Sequence, residues 1–510
     1  MKNILKYACI ALVGSMFLTS CEDDKLDTQP TGSMSGSVIF SNARSAMIAV
    51  NGIYRSMYSA GWSTSGNTHQ CFGISAYNLM AEVMGDDMIM GSMGSGWFWF
   101  DASYDVKRRY TNTAWRPYDL WNANSKWIDN ANSVLKNKDN MAGDKSDIDY
   151  VVGQAYAIRA YAYFMMAQQF ARTYKGHETE PCVPIYTQPT YAGKPGNPRS
   201  TVADVYNLIV SDIDSAAMLL QGKTQQHSSH IAYSVARGLQ ARIALVMEDW
   251  STARDAAVEA IRASGKRILP VDQFEGNNKA NAGNVMWGAE IIADQTGSYA
   301  SLFAHMDTVV SYGSRAPKQI TKSLYEKMSE TDTRRSWWNP NSSYSTGGYQ
   351  QKKFSFSDAQ TWLGDYVWMR VEEMYLIAAE AECRLGNETA AKNHLMALMK
   401  ERDPQYTCDK TGTELGKLTS DVTGSLLEEI ITQRRIELWG EIGRVYDIRR
   451  LHQGFRRTAA DGWPSGLLLS NRPTDNPENY MWVLTIPQTE FDGNINLYWC
   501  PLKPEQCDQN

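Results

Sequence analysis

The run YVVGQAYAIRAYAYFMMAQQFAR, residues 150–172, decides the fold class. Val152, Ala155, Ala160, Tyr163, Phe164, Ala167 and Phe170 fall on one stripe of a helical period, where a strand would alternate apolar and polar side chains. Outward from this run, the same period predicts helices near 43–60, 115–136, 202–220, 233–248, 251–264, 370–385, 388–402 and 425–451. Short strands are expected at 285–292 and 481–486. The chain is therefore expected to be mainly all-α, and its 510 residues with 43% hydrophobic side chains suffice for a large core.

Two helical hairpins share a register. Ala241 precedes Ala253 by twelve residues across a break at Glu248 and Asp249, and Ala379 precedes Ala391 by twelve across Gly386 and Asn387. Small residues at these offsets let antiparallel helices approach closely, as in tetratricopeptide units of about 34 residues. Stacked units bury a continuous core, so a tetratricopeptide-like scaffold is expected. Its helical blocks, about 43–60, 115–172, 202–265 and 370–451, are separated by stretches rich in Gly, Ser, Asn and aromatics. The stretches at about 61–114 and 270–369 are too long for idle connectors and are expected to carry ligand-binding loops.

The N-terminus sets the address. Lys2 and Lys6 precede a mostly apolar run over 7–18 and the small residues Thr19 and Ser20, a secretory signal too short to span a bilayer. Leu18-Thr19-Ser20-Cys21 resembles a bacterial lipobox, which makes Cys21 the lipid-bearing terminus of the mature chain. Glu22, Asp23 and Asp24 beside it resemble the surface-export signal of lipoproteins from bacteria that carry polysaccharide-utilisation systems. The expected organisation is a signal peptide at 1–20, an anchor and flexible tether at 21–40, and one domain at 41–510. Loss of Lys2 and Lys6 takes the formal net charge from −6 to −8, which offers no footprint for nucleic acid. Cys500 and Cys507 could form a disulfide or remain buried thiols. No Cys-x-x-Cys pair suggests a zinc or redox site, and no cofactor is implied.

Four segments carry a resemblance. Residues 158–164, IRAYAYF, resemble the R-A-x-x-Y-F helix of SusD/RagB-type lipoproteins, and 373–381, EMYLIAAEA, resemble their E-x-Y-L-x-x-A-E-A helix. Residues 428–438, EEIITQRRIEL, with 444–450, RVYDIRR, are similar to the family's E-x-x-R-E-L-x-x-E-G-x-R-x-x-D-L-R-R segment, with Ile436 where Arg or Lys is common. Residues 486–491 and 494–497 resemble its closing P-I-P-x-x-E-I-x-x-N-x-x-L pattern. These motifs read as structure: Arg434, Glu437, Arg444, Asp447 and Arg450 can pair along or between helices as an ion network.

The resemblance implies a non-catalytic, outer-membrane, cell-surface protein that binds an oligosaccharide and covers a SusC-like TonB-dependent transporter. A peptide ligand, an all-α surface glycan hydrolase and a peptide-binding adaptor are the alternatives. Sugars present apolar faces with polar rims, so their recognition needs aromatic platforms beside hydrogen-bonding groups. The leading candidate is GSMGSGWFWF, residues 91–100. If it is extended, Trp97 and Trp99 face one way and Phe98 and Phe100 the other. By resemblance, this loop follows an acidic element that includes Asp86 and lies near the ligand. Tyr299, Trp337 and Trp338 fall roughly where relatives place further platforms, and Trp62 stands in a Gly/Ser/Thr-rich loop. Trp115, Trp121 and Trp127 are expected in the core. His227 and His230, without an acidic neighbour, are expected in a solvated turn. No H-E-x-x-H, P-loop or triad signature occurs.

Overall fold

The computed structural model of the protein describes residues 39–191, 193–341 and 348–497, so Cys21, Cys500 and Cys507 lie outside the described residues. The principal helices are α1 (Ala43–Ser56), α2 (Ile74–Met84), α3 (Trp115–Lys136), α4 (Lys145–Phe170), α5 (Val202–Leu220), α6 (Tyr233–Met247), α7 (Trp250–Ser264), α8 (Val371–Arg384), α9 (Glu388–Met399), α10 (Leu426–Glu437) and α11 (Arg444–Arg450). From α3 to α9 each helix packs on the next, with α10 closing on α8. This succession is the stacked-hairpin scaffold expected of the register. Ala241 meets its neighbours in α6 with no exposed surface, as do Ala253, Ala379 and Ala391 in their helices. Side chains this small are what let the helices close up.

Local chemistry places the breaks. Asn42 caps α1 by accepting from the Ser45 N–H at 2.9 Å, and Thr201 with Asp204 forms a capping box on α5. Glu248 takes a left-handed conformation at the end of α6, and Asp249 then caps α7.

The expected helix over 425–451 is two helices. Gly440 and Gly443 sit at φ +82° and +89°, and a Cβ on Gly443 would lie 2.7 Å from the Ala81 Cβ, so the chain turns there against α2. The stretch 61–114 contains α2, which the sequence pattern hides because nearly all of its side chains are buried and no polar face remains. The expected strand at 481–486 is absent. Tyr480–Trp482 is a 3-10 turn whose Met481 N–H is taken by Asn479.

The strands are short: β1 (Met88–Met90), β2 (Pro181–Pro184), β3 (Arg199–Thr201), β4 (Val285–Ala289), β5 (Lys318–Ile320), β6 (Trp338–Asn339), β7 (Tyr349–Gln351) and β8 (Tyr366–Arg370). One antiparallel sheet runs β1-β5-β7-β6, and β2–β3 and β4–β8 form separate pairs. A continuous apolar core runs from Ala43 to Leu497, and a second cluster lies between α8, α9 and α10.

The charged residues of α10 and α11 form the expected network. Glu437 accepts from Arg402 at 2.8 and 2.9 Å, from Arg370 at 3.1 Å and from Arg334 at 3.4 Å. Asp447 joins Arg434 at 2.8 Å and Arg450 at 2.7 Å, and Arg450 reaches Glu380 at 2.6 Å. These groups are buried, so removing one partner strands the others' charge, and Arg434 Nη1 already lacks a hydrogen-bond partner among the described residues. His230 is likewise no solvated turn residue. It stacks on Tyr54 at 5.3 Å, bonds Tyr150 Oη at 3.0 Å and Asn51 Oδ1 at 2.7 Å, and burial lowers its pKa to about 4.

Candidate functional site

The antiparallel register Met88↔Ile320 to Met90↔Lys318 brings the loop after β1 alongside the segment before β5. The Gly91 N–H donates to Pro317 O at 3.0 Å, and Ser92 Oγ donates to Arg315 O at 2.7 Å. The loop then turns instead of extending. Phe98 is left-handed at φ +62°, its N–H donates to Gln70 Oε1 at 2.7 Å, and Trp99–Ala102 forms one helical turn. Strict alternation of the four aromatics is thereby lost. Phe98 is fully buried, while Trp97, Trp99 and Phe100 are each half-buried.

Trp97 joins a cluster of four rings. Its centroid lies 5.2 Å from His69 and 5.8 Å from Tyr312, both near edge-on. Tyr299 stacks on His69 at 5.9 Å and 14°, and lies 5.3 Å from Tyr312. His69 Nδ1 and Tyr312 Oη are 2.6 Å apart, which ties the two loops together. Tyr299 is 50% exposed and is flanked in sequence by other partly open residues. Trp97 Nε1 is buried without a hydrogen-bond partner among the described residues.

Beneath the rings lies a floor of buried side chains. His305 is buried, packs on Phe72, Phe98 and Tyr312, and its Nε2 lies 2.7 Å from His69 O. Burial, then the proximity of Lys318, pushes its pKa down to about 3, so the imidazole is neutral at pH 7. Lys318 is itself buried, which lowers it to about 7, and its Nζ donates to Ala316 O at 3.1 Å. An apolar floor under half-open rings with a few hydroxyl and imidazole groups suits a ligand with flat apolar faces and polar edges.

The other candidates are placed differently. Trp99 packs against Gly466, where a Cβ would come within 3.2 Å, and no ring contact joins it to Trp97. Trp62 is 37% exposed, with Lys126 Nζ 5.4 Å from its ring centroid, and stands apart from the four-ring cluster. Trp337 and Trp338 are buried. Trp338 packs edge-on against Trp439 at 5.9 Å and Tyr325 at 6.3 Å, and so offers no face to a ligand.

Asp86 is buried as well. Its carboxylate accepts from Arg444 Nε at 2.9 Å, from Arg435 and from Thr419 Oγ1. Burial alone would raise it, but Arg444 and Arg435 outweigh that and hold it well below the usual carboxylate range. Asp87 shares both arginines, at 2.6 and 2.9 Å. The pair ties the start of β1 to α10 and α11, and its partners among the described residues include none of the four rings. Trp121 and Trp127 are buried as expected, and Trp115 is partly so. Sequence reasoning missed His69 and Tyr312. Tyr312 stands beside Gly313, whose missing side chain permits contact with Asp307 O, where a Cβ would lie at 2.1 Å. An aromatic next to an obligatory glycine on a long loop was the available signal.

Fold and site together define a helical-repeat protein that presents a cluster of half-open aromatic rings on inserted loops. Residues 74–245 match a family described as starch-binding and associating with the outer membrane, and residues 270–510 match the SusD family. The chain belongs to the SusD/RagB family. Its fold is shared with a SusD-like carbohydrate binding protein from Bacteroides vulgatus, at TM-score 0.75 and 24% identity, covering 90% of this chain and 98% of that one. A SusD superfamily protein from Bacteroides thetaiotaomicron matches at TM-score 0.73 and 20% identity, covering 90% and 100%. Surface glycan-binding protein A from the same species, solved with laminarihexaose, matches at TM-score 0.64 and 18% identity, covering 88% and 97%. No curated protein shows a significant match. Among the described residues, no helix is long and apolar enough to cross a membrane.

Proposed function

We propose that this protein binds an oligosaccharide at the cell surface and passes it, without covalent chemistry, to a SusC-like TonB-dependent transporter. The observation that carries the reading is the cluster of Trp97, Tyr299, Tyr312 and His69, held half open over the buried Phe72, Phe98 and His305. Pre-organised rings lose little entropy on binding, and the hydroxyl and imidazole groups between them suit the edges of a pyranose. Family membership and the laminarihexaose complex of a protein of like fold support a glycan as the ligand. Cys21 is the proposed lipid anchor, residues 22–40 the tether, and 41–510 the body it holds outside the outer membrane. Trp62 and Trp99 are assigned flanking roles at most.

The test is titration calorimetry of the mature chain against a panel of α- and β-glucan, mannan and xylan oligosaccharides, with a matched set of peptides. Binding of at least one glycan, lost in the Trp97→Ala/Tyr299→Ala variant with its melting transition intact, is the expected result. Glycan affinity that survives the double substitution, or binding of peptides alone, overturns the assignment. New reducing ends after incubation would establish hydrolysis. Co-purification with a barrel encoded beside the gene tests the transporter.

A further inference from the structure

A second cavity lies away from the four-ring cluster. It has a volume of about 250 Å³ and opens between α3, α4, the segment following β2 and the helical turn Gln488–Gly493. Its walls are built in advance. Tyr163 Oη accepts the Tyr186 N–H at 2.6 Å and donates to Tyr186 O at 3.1 Å. Asn494 Nδ2 donates to Asn197 O at 2.8 Å and to Glu490 Oε1 at 3.2 Å, while Trp121 Nε1 holds Glu490 Oε2 at 3.0 Å. Gly196 lies so close to Asn494 that a Cβ would overlap the amide at 2.1 Å.

Inside these walls several polar groups keep unspent bonding capacity. Asp129 Oδ1 takes both the Thr190 N–H at 2.7 Å and its hydroxyl at 2.8 Å, and this leaves Oδ2 with no partner among the described residues. Tyr186 Oη accepts from the Asn197 N–H at 3.0 Å, with Asn494 Nδ2 3.2 Å away and sharing its two hydrogens among three acceptors, and its own proton finds no acceptor among the described residues. Burial raises the pKa of this phenol, which keeps that proton in place. Ser125 and Lys194 also line the cavity; neither side chain makes a hydrogen bond or ion pair among the described residues, and Lys194 Nζ lies 5.8 Å from the Tyr191 ring centroid. Ile128, Met166 and Pro184 add apolar lining. The space greatly exceeds what one or two waters fill.

The geometry points to a second binding site, specific for a single sugar ring, with adjacent hydroxyls held by Asp129, Tyr186 and Lys194 and the apolar ring face laid on Ile128 and Met166. A carboxylate acceptor beside hydroxyl and ammonium donors matches a vicinal diol, each of whose hydroxyls both gives and takes a hydrogen bond. The apolar wall matches the axial C–H face of the ring. The site is independent of the four-ring platform.

The experiment uses the mature chain carrying Trp97→Ala/Tyr299→Ala, so the platform contributes nothing. Glucose, galactose, mannose, xylose and N-acetylglucosamine are each titrated to about 10 mM by calorimetry and saturation-transfer NMR, beside L-glutamate and glycine. A trisaccharide ending in the best ring separates a free sugar from a chain end. We expect at least one sugar to bind once per chain, and Asp129→Asn to weaken it about tenfold or more with an unchanged melting transition. If Asp129→Asn does not fold, Lys194→Ala, a change at a partly exposed side chain, carries the same test. No sugar binding, sugar binding untouched by both substitutions, or binding of the amino acids alone overturns the proposal. Platform binding by the chain with native Trp97 and Tyr299 is measured separately, so the two readings fail independently.

Discussion

Replacing Asp86 by Asn separates an anchor beneath the loop from a ligand contact. The carboxylate shares Arg435 and Arg444 with Asp87; Asp86, Asp87 and Arg444 are buried and the Arg435 side chain is 9% exposed. The amide keeps the shape and leaves two guanidinium charges facing one carboxylate. Removing one partner of a buried pair costs about 3–5 kcal/mol. Asp87 retains contacts to both arginines, which places the loss near the lower end, about 3 kcal/mol. Unfolding entropy of about 2.1 cal/mol/K per residue over about 450 residues is about 1 kcal/mol/K, so Tm should fall by about 3 °C. The pH dependence has a definite sign. Asp86 is held below its unfolded value of about 3.9, so its contribution is present above that pH and fades as the solution becomes more acid. The gap in Tm between wild type and variant should be constant from pH 6 to 8, begin to narrow near pH 4 and close only at much more acid pH. Scanning calorimetry at these pH values, with glycan titration at pH 7, is the assay. An unchanged Tm together with lost glycan affinity would show that Asp86 reaches the ligand and that its placement under β1 is wrong.

Further expectations concern the platform and its supports. Tyr312→Phe removes the hydroxyl bonded to His69 Nδ1 and should weaken glycan binding severalfold, about 1 kcal/mol by calorimetry, with an unchanged melting transition. Burial pushes Glu82 up to about 8, so its stabilising effect is complete below the unfolded value of about 4.3 and is lost as pH rises through 8. Glu82→Gln should therefore melt above wild type at pH 9 and close to it at pH 5. Gly73 sits at φ +74°, and a Cβ there would lie 1.8 Å from Met57 O. Gly73→Ala should cost about 3 kcal/mol, read as a lower denaturation midpoint and a reduced soluble yield.

Which parts of the site were legible follows from how each residue announces itself. Trp97 and Tyr299 were singled out as aromatics near glycines on long loops, and the structure brings both into the four-ring cluster. Trp338 has the same local signature. It is nevertheless buried, because β6 pairs with β7 and turns its ring onto Trp439. Asp86 looked like a ligand-facing acid, yet arginines about 350 residues further along the chain claim it. His69 carried no local signal. Its role comes from the loop holding Tyr312, which lies 243 residues away.

The amino-acid sequence by itself determined the helical class, the positions of most scaffold helices and the small residues at their crossings. These depend on period and side-chain size within one or two turns, and there the distant packing agrees with the local pattern. Helix α2, the break between α10 and α11 and the left-handed turn at Phe98 were decided only by tertiary structure. In each case a packing or hydrogen-bond partner far along the chain overrides the local pattern: α2 is buried on nearly every side, Gly443 must admit Ala81, and Gln70 receives the Phe98 N–H. The platform belongs to this second kind, since its four rings come from three separate loops and meet only once the sheet register has joined β1 to β5.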